Sequence, residues 1–204
     1  MNAWLSRPGA KPVLLLALCG PLAYLFWAAV ADQLGANPAE ALIRSTGDWT
    51  LRMLCLVLAV TPLRVQTGWS ALARFRRMIG VATFCYGLLH LAAYAWLDMG
   101  LDVSEIALDI AKRPFILVGF TAMLLLSALA ATSFNRAVRA MGARRWQALH
   151  RAVYGIAGLA VLHFFWMRAG KNDFAEVAVY AAILGLLLLW RVRRFLAKKT
   201  EIAR

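Results

Sequence analysis

The chain has 204 residues, 62% of them hydrophobic, with a mean hydropathy of +0.66. Such a share exceeds that of an ordinary soluble domain and points to an integral membrane protein. A net charge of +13 would suit nucleic acid in a soluble protein, but its distribution along this chain follows membrane topology, and no nucleic-acid partner is expected.

Six apolar stretches are long enough, or nearly so, to span as helices: about 13–31, 48–65, 78–97, 114–132, 149–167 and 174–190. The first, "VLLLALCGPLAYLFWAAVA", follows Arg7 and Lys11 but is too long for a signal-peptide core, so it reads as a retained helix. Pro62 is expected to close the second span, and Pro114 to open the fourth, where a missing N–H costs nothing. Arg52 and Arg151 sit near span ends, where long side chains can reach the interface. The outer connection "DMGLDVSEIALDIAKR" (98–113) places Val103, Ile106, Ala107 and Ile110 on one helical face and Asp102, Glu105 and Asp109 on another. It reads as an interfacial helix, or as a docking surface for an outer partner. Cys19, Cys55 and Cys85 are isolated, with neither disulfide nor thiolate-metal spacing.

With six spans and an inner N-terminus, 17 of the 23 basic residues fall in inner segments or the tail, together with a single acid, Glu201. The other nine acids fall outside. This asymmetry predicts that both termini are cytoplasmic. Trp27, Trp49, Trp96 and Trp166 mark one interface; Trp4, Trp69, Trp146 and Trp190 mark the other. The expected architecture is an all-α membrane protein, a six-transmembrane-helix bundle forming one domain over residues 1–204. No GxGxxG, P-loop or nucleophile elbow occurs, so substrate chemistry is expected elsewhere.

The three histidines, His90, His150 and His163, all lie in or beside apolar runs. Buried imidazoles in lipid need partners. His90 precedes Asp98 by 8 residues and His163 precedes Arg168 by 5. Both therefore lie roughly 8–12 Å from the outer border, on helices running the same way. Two neutral imidazoles at one depth are the axial ligands expected of a b-type heme, whereas zinc would need more ligands at that level. His150 lies roughly 20 Å further in, and on one ideal helix its azimuth differs from that of His163 by about 140°. Its depth on the third span is shared by Arg76 and Arg77, which suit propionates or a phosphate. The inner site reads as a basic pocket with one imidazole, open to a second heme, to flavin mononucleotide (FMN), or to no ligand at all.

The segments "RRMIGVATFCYGLLHLAAYAWLD" (76–98), "KRPFILVGF" (112–120) and "WQALHRAVYGIAGLAVLHFFW" (146–166), with the six-span layout, resemble the ferric reductase-like transmembrane domain shared with NADPH oxidases. Within that superfamily the chain is most similar to the MsrQ (YedZ) family, over essentially its whole length. The resemblance implies a heme b and FMN protein of the bacterial inner membrane. It would pass electrons from quinol, or from a cytosolic flavin reductase, to MsrP, a periplasmic molybdenum-dependent methionine sulfoxide reductase that repairs oxidised periplasmic proteins. The family's heme-iron histidines carry over onto His90, His150 and His163. The third helix here has one histidine where the oxidases have two, which leaves the heme count open. Placing FMN at Arg76 and Arg77 is an inference from charge and depth. Two other classes stand beside this reading: a proton-coupled transporter using histidine relays, and a structural membrane anchor. No carboxylate within the spans, no broken helix pair and no inverted repeat is expected, which counts against a transporter.

Overall fold

A computed structural model describes residues 2–170 and 172–202 of the chain, except for the side chains of residues 2, 3, 199, 201 and 202. Lys171, Lys199, Glu201 and Arg204, counted above among the charges, thus lie wholly or in their side chains outside the described part. All regular structure among the described residues is helical. In chain order the helices are α1 (Asn2–Ser6), α2 (Ala10–Val30), α3 (Pro38–Thr67), α4 (Arg76–Ala93), α5 (Val103–Lys112), α6 (Pro114–Ala131), α7 (Asn135–His150), α8 (Val153–Ala169) and α9 (Ala175–Ile202). Counting α7 and α8 as one stretch, six are long and apolar enough to cross a membrane.

Local chemistry explains the boundaries. Asn37 caps α3 by accepting the Glu40 amide at 3.1 Å, and Pro38 supplies a preset φ at the first turn. At the other end Gly68, at φ 71°, takes the left-handed conformation that terminates helices. Between them α3 runs straight through Pro62, where the sequence reading ended it. Proline leaves the carbonyl four residues back without its helical donor. That carbonyl belongs to Leu58, and the guanidinium of Arg191 on α9 donates to it. A neighbouring helix thus supplies the bond that the proline ring removes, and the span continues to Thr67.

Two further departures matter for the site. His150 and His163 do not share one regular helix. The chain tightens into shorter-range bonds between them, with Ala152 N–H bonded to Leu149 O at 2.9 Å and Tyr154 N–H to Arg151 O at 3.0 Å. The azimuth estimated from one ideal helix does not apply across this turn. The stretch 135–148, read as a connection, is helical as part of α7, with a break at Gly142, whose φ of 73° favours glycine. Beyond His90, α4 widens into a π-helical turn over Tyr94–Asp98.

Helix α3 is the centre of the bundle. It lies along α4 and against α9, while α6 packs along α8 and against α4. Met53, Leu54 and Leu58 of α3, Thr83 of α4, Ile156 and Ala157 of α8 and Leu184 of α9 are almost fully buried at their junction. Helix α2 is peripheral: its Leu16, Phe26 and Val30 are each more than 70% exposed, an apolar surface suited to lipid tails. It is tied to α4 by the Tyr86 hydroxyl, which donates to Leu18 O at 2.8 Å.

Candidate functional site

Two cavities are stacked inside the bundle. The outer one, about 300 Å³, is lined by α3, α4, α6 and α8 and includes both His90 and His163. The inner one, about 350 Å³, includes His150, Trp146, Arg64, Arg76 and Arg77. Leu54, Thr83 and Leu126 line both, so a single layer of buried side chains separates them. The structure therefore brings His90 to His163, groups His150 with Arg76 and Arg77, and keeps the two groups apart.

In the outer cavity the imidazoles of His90 and His163 approach each other in an edge arrangement, with ring centroids 6.2 Å apart and planes at 75°. Each ring is anchored through Nδ1, to Ile43 O at 2.8 Å for His90 and to Phe115 O at 2.7 Å for His163. A carbonyl only accepts, so each Nδ1 carries the proton and each Nε2 keeps its lone pair. That is the tautomer and orientation that metal-ligating histidines need. Metal–imidazole bonds of about 2 Å on either side of one ion, plus the ring radii, require centroids roughly 6 Å apart. The pair thus fits a six-coordinate iron whose other four ligands come from a macrocycle. No cluster of three or more histidine, cysteine or acidic side chains able to hold a bare metal ion occurs among the described residues.

The outer rim is charged. Arg44 pairs with Glu40 at 2.7 Å, Arg113 with Asp109 at 2.8 Å, and Arg168 with Asp173 and Glu176. Tyr94 donates to Asp109 at 2.7 Å, tying the π-helical turn to α5. Because α3 starts at Pro38, Asp48 lies within a membrane-length helix and lines the outer cavity. The expectation that no carboxylate lies in a span is corrected accordingly: Asp48 is the first residue of the expected second span, and Glu176 lies in the first turn of α9.

The inner histidine is held differently. The Thr132 hydroxyl donates to Ala128 O at 2.8 Å and meets His150 Nε2 at 3.1 Å. A hydroxyl has one proton, so it accepts from Nε2–H here. The ring stacks on Trp146 at 4.0 Å, and Trp146 Nε1–H donates to Thr132 O at 2.9 Å. Arg77 donates to Asn135 Oδ1 at 2.6 Å. Arg64 and Trp146 join this cavity unannounced by the sequence reading, which took Trp146 as an interface marker only. Arg64 lies on α3, far from His150 in the sequence, and gives no linear signal; Trp146 precedes His150 by four residues on α7, a spacing that puts both rings on one helical face. The Cys19, Cys55 and Cys85 thiols form no disulfide.

Residues 46–161 match the family described as "Ferric reductase like transmembrane component". The chain is 66% identical over 195 residues to the protein-methionine-sulfoxide reductase heme-binding subunit MsrQ of Polaromonas naphthalenivorans, covering 96% of this chain and 89% of that protein. It is 53% identical over 182 residues to the MsrQ of Bordetella pertussis, covering 89% of this chain and 88% of that one. This chain belongs to the MsrQ family. A third MsrQ relative, from Xanthomonas campestris pv. campestris, is 46% identical over 201 residues, covering 96% of this chain and 91% of that protein. Membership of a transmembrane family, with six apolar helices, makes the chain a multi-pass membrane protein of the all-α, ferric reductase-like class. The family match starts inside α3, includes His90 and His150, and stops just short of His163. No solved structure matches the chain.

Proposed function

We propose that this protein is the heme-carrying electron-transfer subunit of a methionine sulfoxide reductase system, with heme iron held between His90 and His163. The observation that carries the reading is the close pair of imidazoles, centroids 6.2 Å apart, each tied by Nδ1 to a helix carbonyl with its Nε2 lone pair left available. A b-type heme bound there supplies a one-electron carrier in the outer half of the bilayer. His90 and His163 would bind its iron, and the apolar walls of α3, α6 and α8 would exclude water from it. Relatives named as heme-binding subunits support the same assignment.

The inner cavity, with Arg64, Arg76 and Arg77 around His150 and the Trp146 indole, suits an anionic, aromatic cofactor. Its guanidiniums would hold a phosphate or propionate, and its ring an aromatic face. FMN is the occupant this reading favours; a second heme using His150 is the other. The charge asymmetry supports a bacterial inner-membrane protein with both termini cytoplasmic, the inner cavity facing the donor side. Electrons would come from quinol or a cytosolic flavin reductase and leave to an MsrP-type molybdenum subunit in a periplasmic heterodimer. Substrate reduction, and with it repair of oxidised periplasmic proteins, would occur on that partner.

The test is a reduced-minus-oxidised absorption spectrum of the purified protein and of His90→Ala and His163→Ala. The reading predicts a bis-histidine b-type spectrum lost in both variants. A pigment-free wild type would favour a membrane anchor, and proton-coupled flux without pigment would favour a transporter.

A further inference from the structure

Each helix that receives a histidine bond carries a glycine one turn further on. His90 bonds Ile43 O, and Gly47 follows on α3; His163 bonds Phe115 O, and Gly119 follows on α6. A Cβ on Gly47 would lie 3.1 Å from His90 Nδ1 and Cε1. A Cβ on Gly119 would lie 2.7 Å from His163 Nδ1 and 2.8 Å from its Cε1, a separation that cannot exist unless the ring moves. The missing methyl is therefore what lets each imidazole lie flat enough on the helix to reach the carbonyl. Neither glycine has a positive φ, so backbone conformation does not explain them. Nor does packing against other groups: the three atoms nearest a Cβ at Gly47 all belong to His90 and at Gly119 all to His163, whereas at Gly155 and Gly158 on α8 nothing lies within 4 Å.

The arrangement is duplicated. Histidine follows its acceptor carbonyl by 47 residues in the first helix pair and by 48 in the second. Helices α3 and α4 therefore present His90 much as α6 and α8 present His163, from opposite sides of one cavity. A carbonyl with a glycine four residues later is the same device used twice.

We propose that Gly47 and Gly119 are positioning residues for the two heme ligands: each holds its histidine in the Nδ1–H tautomer by allowing the ring to reach the carbonyl of Ile43 or Phe115. The inference rests on the proposed heme between His90 and His163. The Nδ1–H···O=C bond makes the imidazole a stronger donor and favours ferric iron, so weakening it should raise the midpoint potential. Outer-shell partners of this kind are worth about 10–100-fold in metal-site affinity.

The experiment compares Gly119→Ala, Gly47→Ala and the control Gly158→Ala in the full-length, detergent-purified protein. Heme content, midpoint potential and low-temperature electron paramagnetic resonance are read beside helicity and thermal unfolding. Alanine is the better helix former, so the helices should survive all three changes. Gly119→Ala is expected to lower heme retention by about tenfold or more. The heme it keeps should show a raised potential and altered low-spin resonances. Gly47→Ala, with the longer approach, should move the same readouts in the same direction by less, and it carries the test if Gly119→Ala does not fold. Gly158→Ala should match wild type. Wild-type heme content, potential and resonances in both Gly119→Ala and Gly47→Ala would overturn the proposal while leaving the heme assignment intact. Retention of the heme in His90→Ala and His163→Ala would instead overturn the assignment, and the positioning role with it.

Discussion

The outer and inner cavities use the same side chain under opposite constraints. In the outer cavity two imidazoles are tied at Nδ1 to backbone carbonyls, which leaves each Nε2 lone pair available, with the ring centroids 6.2 Å apart. In the inner one a single imidazole is tied at Nε2 to Thr132 and covered on one face by Trp146, among three arginines. Histidine in a membrane helix is thus ambiguous until the partner of each ring nitrogen is known. A ring whose Nδ1 is occupied by a carbonyl is prepared for iron at Nε2. A ring whose Nε2 is occupied by a hydroxyl, beside guanidiniums, is prepared for an anion or an aromatic face.

The sharpest way to break this contrast is to remove the outer ligands. His90→Ala and His163→Ala should each eliminate the same spectral component, and the double variant should resemble either single one, because the two ligands act as a unit. Additive partial losses, read by pyridine hemochrome and difference spectra, would show that the rings do not share one iron. His150→Ala comes next. It should leave the outer bis-histidine spectrum in place and change only the bound flavin, a second spectral component, or reduction from the cytoplasmic side. If it removes the outer spectrum, the separation of the two cavities is functionally meaningless.

Joint replacement of Arg76 and Arg77 by glutamine sharpens the inner half of the comparison. Two lost charge-assisted bonds to a phosphate or propionate should weaken retention of the inner ligand by about tenfold or more. The readout is flavin fluorescence of denatured, washed protein, with the outer spectrum as the unchanged internal standard. The smallest effect is expected furthest from both cavities. The Asp102 carboxylate caps α5, held below the usual carboxylate range by the Ser104 hydroxyl and the Glu105 amide. A group whose folded pKa is depressed stabilises above its unfolded pKa and loses that effect as pH falls through the folded value. Protection of the Ser104 and Glu105 amides, taken relative to their intrinsic exchange rates at each pH, should accordingly fall in acid, or with Asp102→Ala at neutral pH, while neither cavity changes.

The sequence was informative where a one-dimensional rule controls the outcome. Apolar length located the six spans, and distance from Asp98 and Arg168 placed His90 and His163 at one level. It was silent where the outcome depends on a partner from another helix. Pro62 reads as a stop until Arg191, 129 residues later on α9, is seen to donate to the Leu58 carbonyl. The angle between His150 and His163 could not be counted across the tight turn at 149–154, because helical periodicity is lost there. The carbonyls of Ile43 and Phe115 leave no trace in residue identity, since every residue but its side chain offers the same acceptor. Only the glycines beside them are visible in the sequence, and they take on meaning once the histidine rings are placed against them.

The central claim is that one iron lies between His90 and His163. It is tested most directly by pulsed electron paramagnetic resonance on oxidised protein grown with 15N-labelled histidine and unlabelled elsewhere. The account predicts a low-spin ferric signal coupled to two labelled axial imidazole nitrogens, both lost in His163→Ala and both kept in His150→Ala. Coupling to a single imidazole, or couplings that survive in His163→Ala and vanish in His150→Ala, would contradict it.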